Sequence, residues 1–234
     1  MKEQIPWLII GIIWIINFAI SWWNARTIGL FWAEAKVMGG WTRFMAWMGA
    51  IMSASGFTWC YLIILLFGGY YAQFQFLDAN QPPILTEQAL NAGFSLGYLI
   101  IIPGILFSGL MIWMDSIAQA WKKRSFGNIA TASWNTFAEA HNIYSAMQGM
   151  PEAWSSVKDF FFSSDSDSSS DSDDDGKGKL ALVVVLAIVV AAILGGIMTT
   201  WAIVNHHAGS RNLEPDDDSN TSKWRQKLHE MREQ

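Results

Sequence analysis

Charged side chains are scarce in this chain of 234 residues, in which Asp, Glu, Lys and Arg together make up 15%. A soluble globular domain carries about 25%. A membrane-crossing helix needs about 20 mostly apolar residues, and four stretches of at least that length contain no charged residue. The sequence therefore predicts an all-α integral membrane protein with four transmembrane helices, at about 5–23, 45–69, 92–114 and 180–204.

Cysteine is nearly absent, and several common catalytic motifs are lacking. The single cysteine, Cys60, lies inside the second predicted span and excludes an intrachain disulfide. There is no HExxH or CxxC motif, no glycine-rich nucleotide loop, and no basic patch with interleaved aromatic residues. These absences predict a protein that is not an enzyme, holds no cofactor and has no nucleic-acid partner.

Ionisable side chains are missing from the depths of the four predicted spans, where they would mark a proton relay or an ion pathway. Their absence argues against a pump or a secondary transporter. The polar exception in the first span is Asn17, which we expect to hydrogen-bond to a neighbouring helix. Tryptophan, in contrast, is abundant, with fourteen residues, as suits side chains at a lipid–water boundary.

Lysine and arginine are unevenly distributed between the loops. Residues 24–43 contain three of them and residues 122–124 are all basic, whereas residues 70–91 contain none. Because short basic loops stay on the cytoplasmic side, the pattern predicts a plasma-membrane or bacterial inner-membrane protein with both termini outside and 115–179 inside. The basic C-terminal tail, which this threading places outside, conflicts with the rule.

Two segments are amphipathic but too polar to cross a membrane. They cover residues 27–41 and 125–147, and the second shows aromatic residues at spacings of three and four. Both are predicted to be interfacial helices on the inner surface, with docking against the bundle as the alternative for the second. His141 is interpreted as a packed polar residue, because Glu139 points to a different side of the helix.

Residues 163–175 consist only of serine and aspartate. This composition buries too little apolar surface to offset the entropy of ordering, so a solvated spacer is the simplest prediction. Asp171, Asp173 and Asp175 resemble the start of a calcium-binding loop, although Leu182 occupies the position of its final acidic ligand. Phosphorylation is a further alternative at the serines that precede an aspartate by three residues, namely Ser164, Ser168, Ser170 and Ser172.

Small residues recur at intervals of four in two of the spans. Small side chains let membrane helices approach closely where lipid supplies no hydrophobic drive. The spacing predicts packing faces, within the chain or between subunits, formed by Ala187, Ala191, Gly195 and Thr199 in the last span and by Ala46, Ala50 and Ala54 in the second.

Two further features concern the third span and the C-terminal tail. Pro103 and Gly104 predict a kink, because proline removes a backbone donor and clashes with the preceding turn. In the tail, Trp224, Leu228 and Met231 form an apolar face on a short charged helix. Such a helix is marginal alone, so we expect it to dock on a partner, another subunit or the membrane surface.

Together these features predict five units and a function in assembly. The function is that of a non-enzymatic structural or scaffolding subunit, whose partners are the lipid bilayer, further copies of the chain and other membrane proteins. A channel or transporter subunit with a kinked third span is the alternative. The units are the first three spans with their loop (1–114), a cytoplasmic amphipathic segment (115–162), the acidic linker (163–179), the fourth span (180–204) and the exposed tail (205–234).

Overall fold

The computed structural model describes residues 4–37, 39–76, 83–162 and 174–211. Within these ranges the chain forms five long helices and no strand, which confirms the all-α prediction. The helices are α1 (Gln4–Val37), α2 (Gly40–Phe76), α3 (Glu87–Lys122), α4 (Phe126–Phe162) and α5 (Asp174–Arg211).

Three of the helices are long and apolar enough to cross a membrane: Gly40–Phe76, Glu87–Lys122 and Leu180–Gly209. They contain the second, third and fourth predicted spans. The first predicted span, 5–23, lies within α1, but the described part of α1 does not meet the same criterion. The membrane character of the chain is therefore supported, whereas a count of four spans is not confirmed.

Local sequence sets both ends of α3 and the sharp reversal that leads into α4. Thr86 caps the start of α3 by accepting a hydrogen bond from the Ala89 amide at 3.1 Å. At the other end of α3, the Lys123 amide donates to the Gln119 carbonyl at 2.8 Å. The Ser125 hydroxyl then accepts from the Asn128 amide at 3.3 Å and opens α4. A connection this short turns α4 back along α3.

Contacts along the whole length of α3 show that α4 runs antiparallel to it. The Trp113 indole donates to the Thr136 hydroxyl at 2.8 Å. Fifteen residues earlier in α3, the Tyr98 hydroxyl donates to the Ser145 carbonyl at 2.9 Å. Near the start of α3, Phe160 packs against a buried cluster that includes Leu85. Consequently α4 covers the same height of the bundle as α3.

The fifth helix also spans the full height of the bundle. Its early residue Val185 packs with Leu85 and Ala89, next to the start of α3. Its late residue Val204 packs with Ala25 and Ile28 of α1. Because Trp32 of α1 stacks edge-on against both Trp47 and Trp201, the end of α1, the beginning of α2 and the end of α5 lie together.

The two ends of the bundle differ in charge. We call one the basic end: α1, α3 and α5 finish there, α2 and α4 begin there, and Lys122, Lys123 and Arg124 connect two of them. We call the other the acidic end, where α3 begins beside Glu87 and α4 finishes beyond Glu152 and Asp159.

Both predicted interfacial segments need correction. Residues 27–37 continue α1 without a break, and residues 40–41 already belong to α2, so 27–41 is not a separate helix. Residues 126–147 form the first part of α4, which packs lengthwise on α3 and corresponds to the alternative of docking against the bundle. The physical reason is that α4 turns small side chains and Glu139 towards the bundle, where Ala132, Ala146 and Ala153 are buried.

The surface of the bundle is apolar over much of its length. The exposed fractions are 67% for Trp134 and Phe137 on α4, and 54% for Val190 and Leu194 on α5. Inside, close approach depends on glycine: a Cβ added at Gly196 would lie 2.7 Å from the Ala54 carbonyl oxygen. An apolar exterior around closely packed helices is the arrangement expected in a bilayer.

Candidate functional site

A groove of about 520 Å³ lies between α1 and α4, with α2 and α3 as its floor. Seven of the fifteen lining residues are isoleucine, and five polar side chains spread over all four helices also line it. The lining residues are Ile13, Trp14, Ile16, Asn17, Ile20, Ser55, Gly56, Trp59, Ile63, Tyr98, Ile101, Ile102, Ile105, His141 and Asn142.

Hydrogen bonds to α2 fix the α1 wall of the groove. The Asn17 amide nitrogen donates to the Gly56 carbonyl at 3.2 Å and to the Cys60 sulfur at 3.4 Å. One turn away, the Trp14 indole donates to the Cys60 carbonyl at 3.1 Å. The prediction that Asn17 makes an interhelical hydrogen bond is confirmed. The Gly56 and Cys60 carbonyls also accept backbone hydrogen bonds within α2. The bonds from α1 therefore hold α1 against α2 without interrupting that helix.

Glu139 fixes the α4 wall from inside. It is only 5% exposed, and its carboxylate lies against Gly109 of α3, where any larger side chain would collide with it. Asn142 forms a side-chain hydrogen bond with the same carboxylate. Glu139 is also the only charged residue between positions 125 and 151. The lone charge of this segment is thus turned into the bundle.

His141 lies on the other side of α4 from that contact. It is exposed and lines the groove, so the interpretation of His141 as a packed polar residue is wrong. The expectation that Glu139 and His141 point in different directions is confirmed, and they do not form a paired acid–base site. Reasoning from the sequence missed the burial of Glu139, because it treated α4 as a surface helix. The signal that was present is the single charge in an otherwise uncharged segment of that length.

A second opening adjoins the groove towards the acidic end. This cleft of about 370 Å³ lies between α3 and α4, and it shares Trp59 and Tyr98 with the groove. Its lining is more polar, and Glu152 is the only acidic or basic residue in it. The lining residues are Trp59, Asn91, Phe94, Ser95, Tyr98, Gly149, Glu152, Ala153 and Ser156.

Reasoning from the sequence also missed a catalytic-type spacing in this cleft. Gly93, Ser95 and Gly97 fit the pattern GxSxG, which in α/β-hydrolases places a nucleophilic serine on a sharp strand-to-helix turn. Here the three residues lie within the continuous helix α3. Gly93 and Gly97 are packed by Leu66 and Leu62 of α2. The glycines therefore serve helix packing, and the geometry of a nucleophile elbow does not occur around Ser95.

The structure divides the small residues of α5 between two directions. Ala187 and Ala191 are exposed. Gly195 faces Tyr61 of α2, and the Thr199 hydroxyl hydrogen-bonds to that of Tyr61 at 2.8 Å. The closer approach of α5 to the backbone of α2 falls one position later, at Gly196. Packing between subunits through Ala187 and Ala191 stays a prediction.

The predicted face of α2 lies inside the bundle. Ala46 and Ala50 are partly buried against the cluster that contains Phe57 and Val204. The carbonyl of Ala54 approaches Gly196 of α5. These three alanines therefore lie where α2 meets α1 and α5.

Pro103 is accommodated inside α3, which is helical from Glu87 to Lys122. Its ring is exposed, and Gly104 lies opposite Ser55 of α2. The Gly104 carbonyl accepts a hydrogen bond from the Ser108 hydroxyl at 2.7 Å. A polar side chain thus supports the turn that follows the proline, and the predicted kink stays a prediction.

The remaining predicted residues fall outside the described residues or where only the backbone is described. Asp171 and Asp173 are outside the described residues, and Asp175 lies at the start of α5, in a part where only the backbone is described. The tail residues Trp224, Leu228 and Met231 are outside the described residues as well. In the part of the chain that is described, no three His, Cys, Asp or Glu residues are grouped so as to hold a metal ion. The calcium hypothesis therefore stays open.

Comparison with known proteins gives no relative. No family model matches the chain, and neither a curated protein nor a solved structure is similar to it.

Proposed function

We propose that this protein is a non-enzymatic, integral membrane subunit that scaffolds a larger assembly. The observation that carries the proposal is the outward face of α5, which is apolar along its length. It combines exposed large residues such as Val190 and Leu194 with the exposed small residues Ala187 and Ala191. Small residues between large ones form a surface into which a second helix fits closely.

The proposal includes five membrane crossings. Helix α1 contributes the predicted first span, and α4 crosses beside α3 because its outward face is uncharged from 125 to 151. With five crossings, the C-terminal tail joins the basic end, and the Ser/Asp segment joins the acidic end.

This threading removes the conflict in the distribution of basic residues. Only Lys2, Lys158, Lys177 and Lys179 belong to the acidic end, and the other eleven of the fifteen Lys and Arg residues belong to the basic end. The basic end is therefore cytoplasmic by the positive-inside rule, with the N-terminus outside and the C-terminus inside. This replaces the threading from sequence, which kept 115–179 on one side.

Assembly is tested by native mass spectrometry of the protein extracted in a mild detergent. We expect a discrete complex, containing either several copies of this chain or other membrane proteins. Ala191→Trp, on the outward face of α5, should dissociate it. Ala140→Trp is the matched control, because it adds the same side chain at an exposed alanine of α4. A particle of one chain at every concentration, with no other protein, would contradict the proposal.

A channel or transporter subunit is the second candidate, favoured by one observation. The groove and the cleft share Trp59 and Tyr98, and together they bring polar side chains from the acidic end to the middle of α3. The test is ion or solute flux into vesicles that contain the purified protein. Flux that is lost on Tyr98→Trp would support this candidate over the scaffold.

A further inference from the structure

We propose that the groove and the cleft together bind one membrane lipid, with an apolar chain in the groove and an amine-bearing head in the cleft. The inference rests on the membrane placement of α3 and α4 and goes beyond the proposed role in assembly. Neither opening is explained by that role, because the assembly face is on α5.

The groove has the composition and position of a site for a hydrocarbon chain. Its volume of about 520 Å³ falls within the range of about 300–1,000 Å³ that is usual for sites of small molecules. Ile13, Ile16 and Ile20 form one wall and are each more than half exposed. In a bilayer, the lipid outside would reach the groove sideways along these residues, without passing a polar barrier.

Along α3, the polar cleft comes first and the more apolar groove follows, in the same order as the polar head and the apolar chain of a lipid that enters from that end. Cleft residues of α3 begin at Asn91, one turn after the start of the helix at Glu87. Groove residues of α3 run from Tyr98 to Ile105, in the middle of the helix. A lipid inserted from the leaflet at the acidic end has its head at the first level and its chain at the second.

The cleft also offers hydrogen-bonding groups that the protein does not use. Among the described residues, no hydrogen bond pairs the side chains of Asn91, Ser95, Glu152 or Ser156 with another protein group. The indole N–H of Trp59, where cleft and groove meet, is likewise without a partner within the described part of the chain. Polar groups around an amphipathic molecule orient it and give selectivity.

Charge decides which head the cleft accepts. The cleft is lined by one carboxylate, that of Glu152, and by no lysine, arginine or histidine. An anionic head would meet an unbalanced negative charge, whereas a primary ammonium would donate a charge-assisted hydrogen bond to Glu152. We therefore assign an ethanolamine-type head rather than a glycerol phosphate head without an amine.

The experiment is to place the purified protein in nanodiscs with equal amounts of phosphatidylethanolamine, phosphatidylcholine and phosphatidylglycerol. The lipids that stay bound on release from the nanodisc are then counted by native mass spectrometry. We expect ethanolamine lipid to be enriched about tenfold over glycerol lipid, the effect of one charge-assisted hydrogen bond. Choline lipid should fall between them, because its quaternary ammonium has the charge but no N–H donor.

Matched variants test binding of the lipid head and binding of the lipid chain separately. Glu152→Gln should reduce the enrichment to the bulk ratio, while Glu87→Gln, an exposed carboxylate outside the lining, should leave it unchanged. Ile16→Trp should fill the groove and release lipids of every class. Ile15→Trp is its control, because Ile15 is exposed and does not line the groove.

Equal retention of the three lipids, or unchanged retention in Ile16→Trp, would overturn the inference. Preferential retention of the glycerol lipid would also overturn it. The same spectra also give the number of protein chains per particle, so failure of the assembly proposal can be distinguished from failure of the lipid inference. A single chain that keeps the ethanolamine lipid would contradict the scaffold proposal and support the lipid site.

Discussion

Helices α4 and α5 have almost the same length, 37 and 38 residues, yet their sequences predicted opposite locations. The α5 sequence is uncharged from 180 to 210, which predicts a membrane span, whereas α4 carries two glutamates, an aspartate, a lysine, a histidine and four amides. In the structure both cover the full height of the bundle and expose large apolar side chains. The difference teaches that a helix can pack along the full height of this bundle without an uncharged run, when the charge near its middle, that of Glu139, is turned inward.

The largest expected effect comes from reversing the charge of Glu139, the one buried charged residue of α4. Glu139→Lys would put an ammonium where a carboxylate now lies between α4 and Gly109. We expect a loss of about 3 kcal/mol or more in unfolding free energy, since an uncompensated buried charge has this cost. Thermal unfolding in detergent measures it.

The control for that change is Asp159→Lys, at an exposed position on the same helix that lines neither the groove nor the cleft. An exposed substitution away from packing contacts should stay within about 0.5 kcal/mol. Similar losses for the two variants would mean that Glu139 is not enclosed by α3 and α4 in the membrane.

A second prediction compares two adjacent glycines of α5. Gly196→Leu would force a side chain against the backbone of α2 at Ala54, and overpacking of this kind costs about 3 kcal/mol. Gly195→Leu meets the ring of Tyr61 instead, which is able to shift, and should cost about 1 kcal/mol. Melting temperatures and particle mass of both variants test this order.

Gly11→Leu supplies the baseline for the pair, because nothing lies within 4 Å of a Cβ added at Gly11. If Gly195→Leu proves more harmful than Gly196→Leu, the register of α5 against α2 described above is incorrect.

A smaller effect sharpens the comparison of the two helices directly. Tyr98 donates to the Ser145 carbonyl and so holds α4, whereas Tyr61 hydrogen-bonds to Thr199 and so holds α5. Removal of either hydroxyl by Tyr→Phe should cost about 0.6 kcal/mol, the average for hydrogen bonds between membrane helices. Chemical unfolding of the two variants gives the values. A negligible cost for Tyr98→Phe beside a measurable one for Tyr61→Phe would show that α4 is only loosely held.

Much of the fold could be predicted because α2, α3 and α5 are marked by long uncharged runs, which need only local composition to be recognised. The hydrogen bond of Asn17 was also predictable, since an amide in a span needs a partner. The role of α4 was not, because burial of Glu139 depends on Gly109, thirty positions away in the sequence and on another helix. The groove likewise needs residues from four helices, whose juxtaposition has no local signal.

The central claim is that α4 lies lengthwise in the membrane beside α3, and cysteine labelling in membrane vesicles of known orientation tests it most directly. In a Cys60→Ser background, single cysteines replace three exposed residues: Glu87 and Asp159 at the acidic end, and Lys123 at the basic end. An impermeant thiol reagent should label Glu87→Cys and Asp159→Cys from the same side and Lys123→Cys from the opposite side. Labelling of Asp159→Cys and Lys123→Cys from one common side would place α4 on the membrane surface and contradict the account.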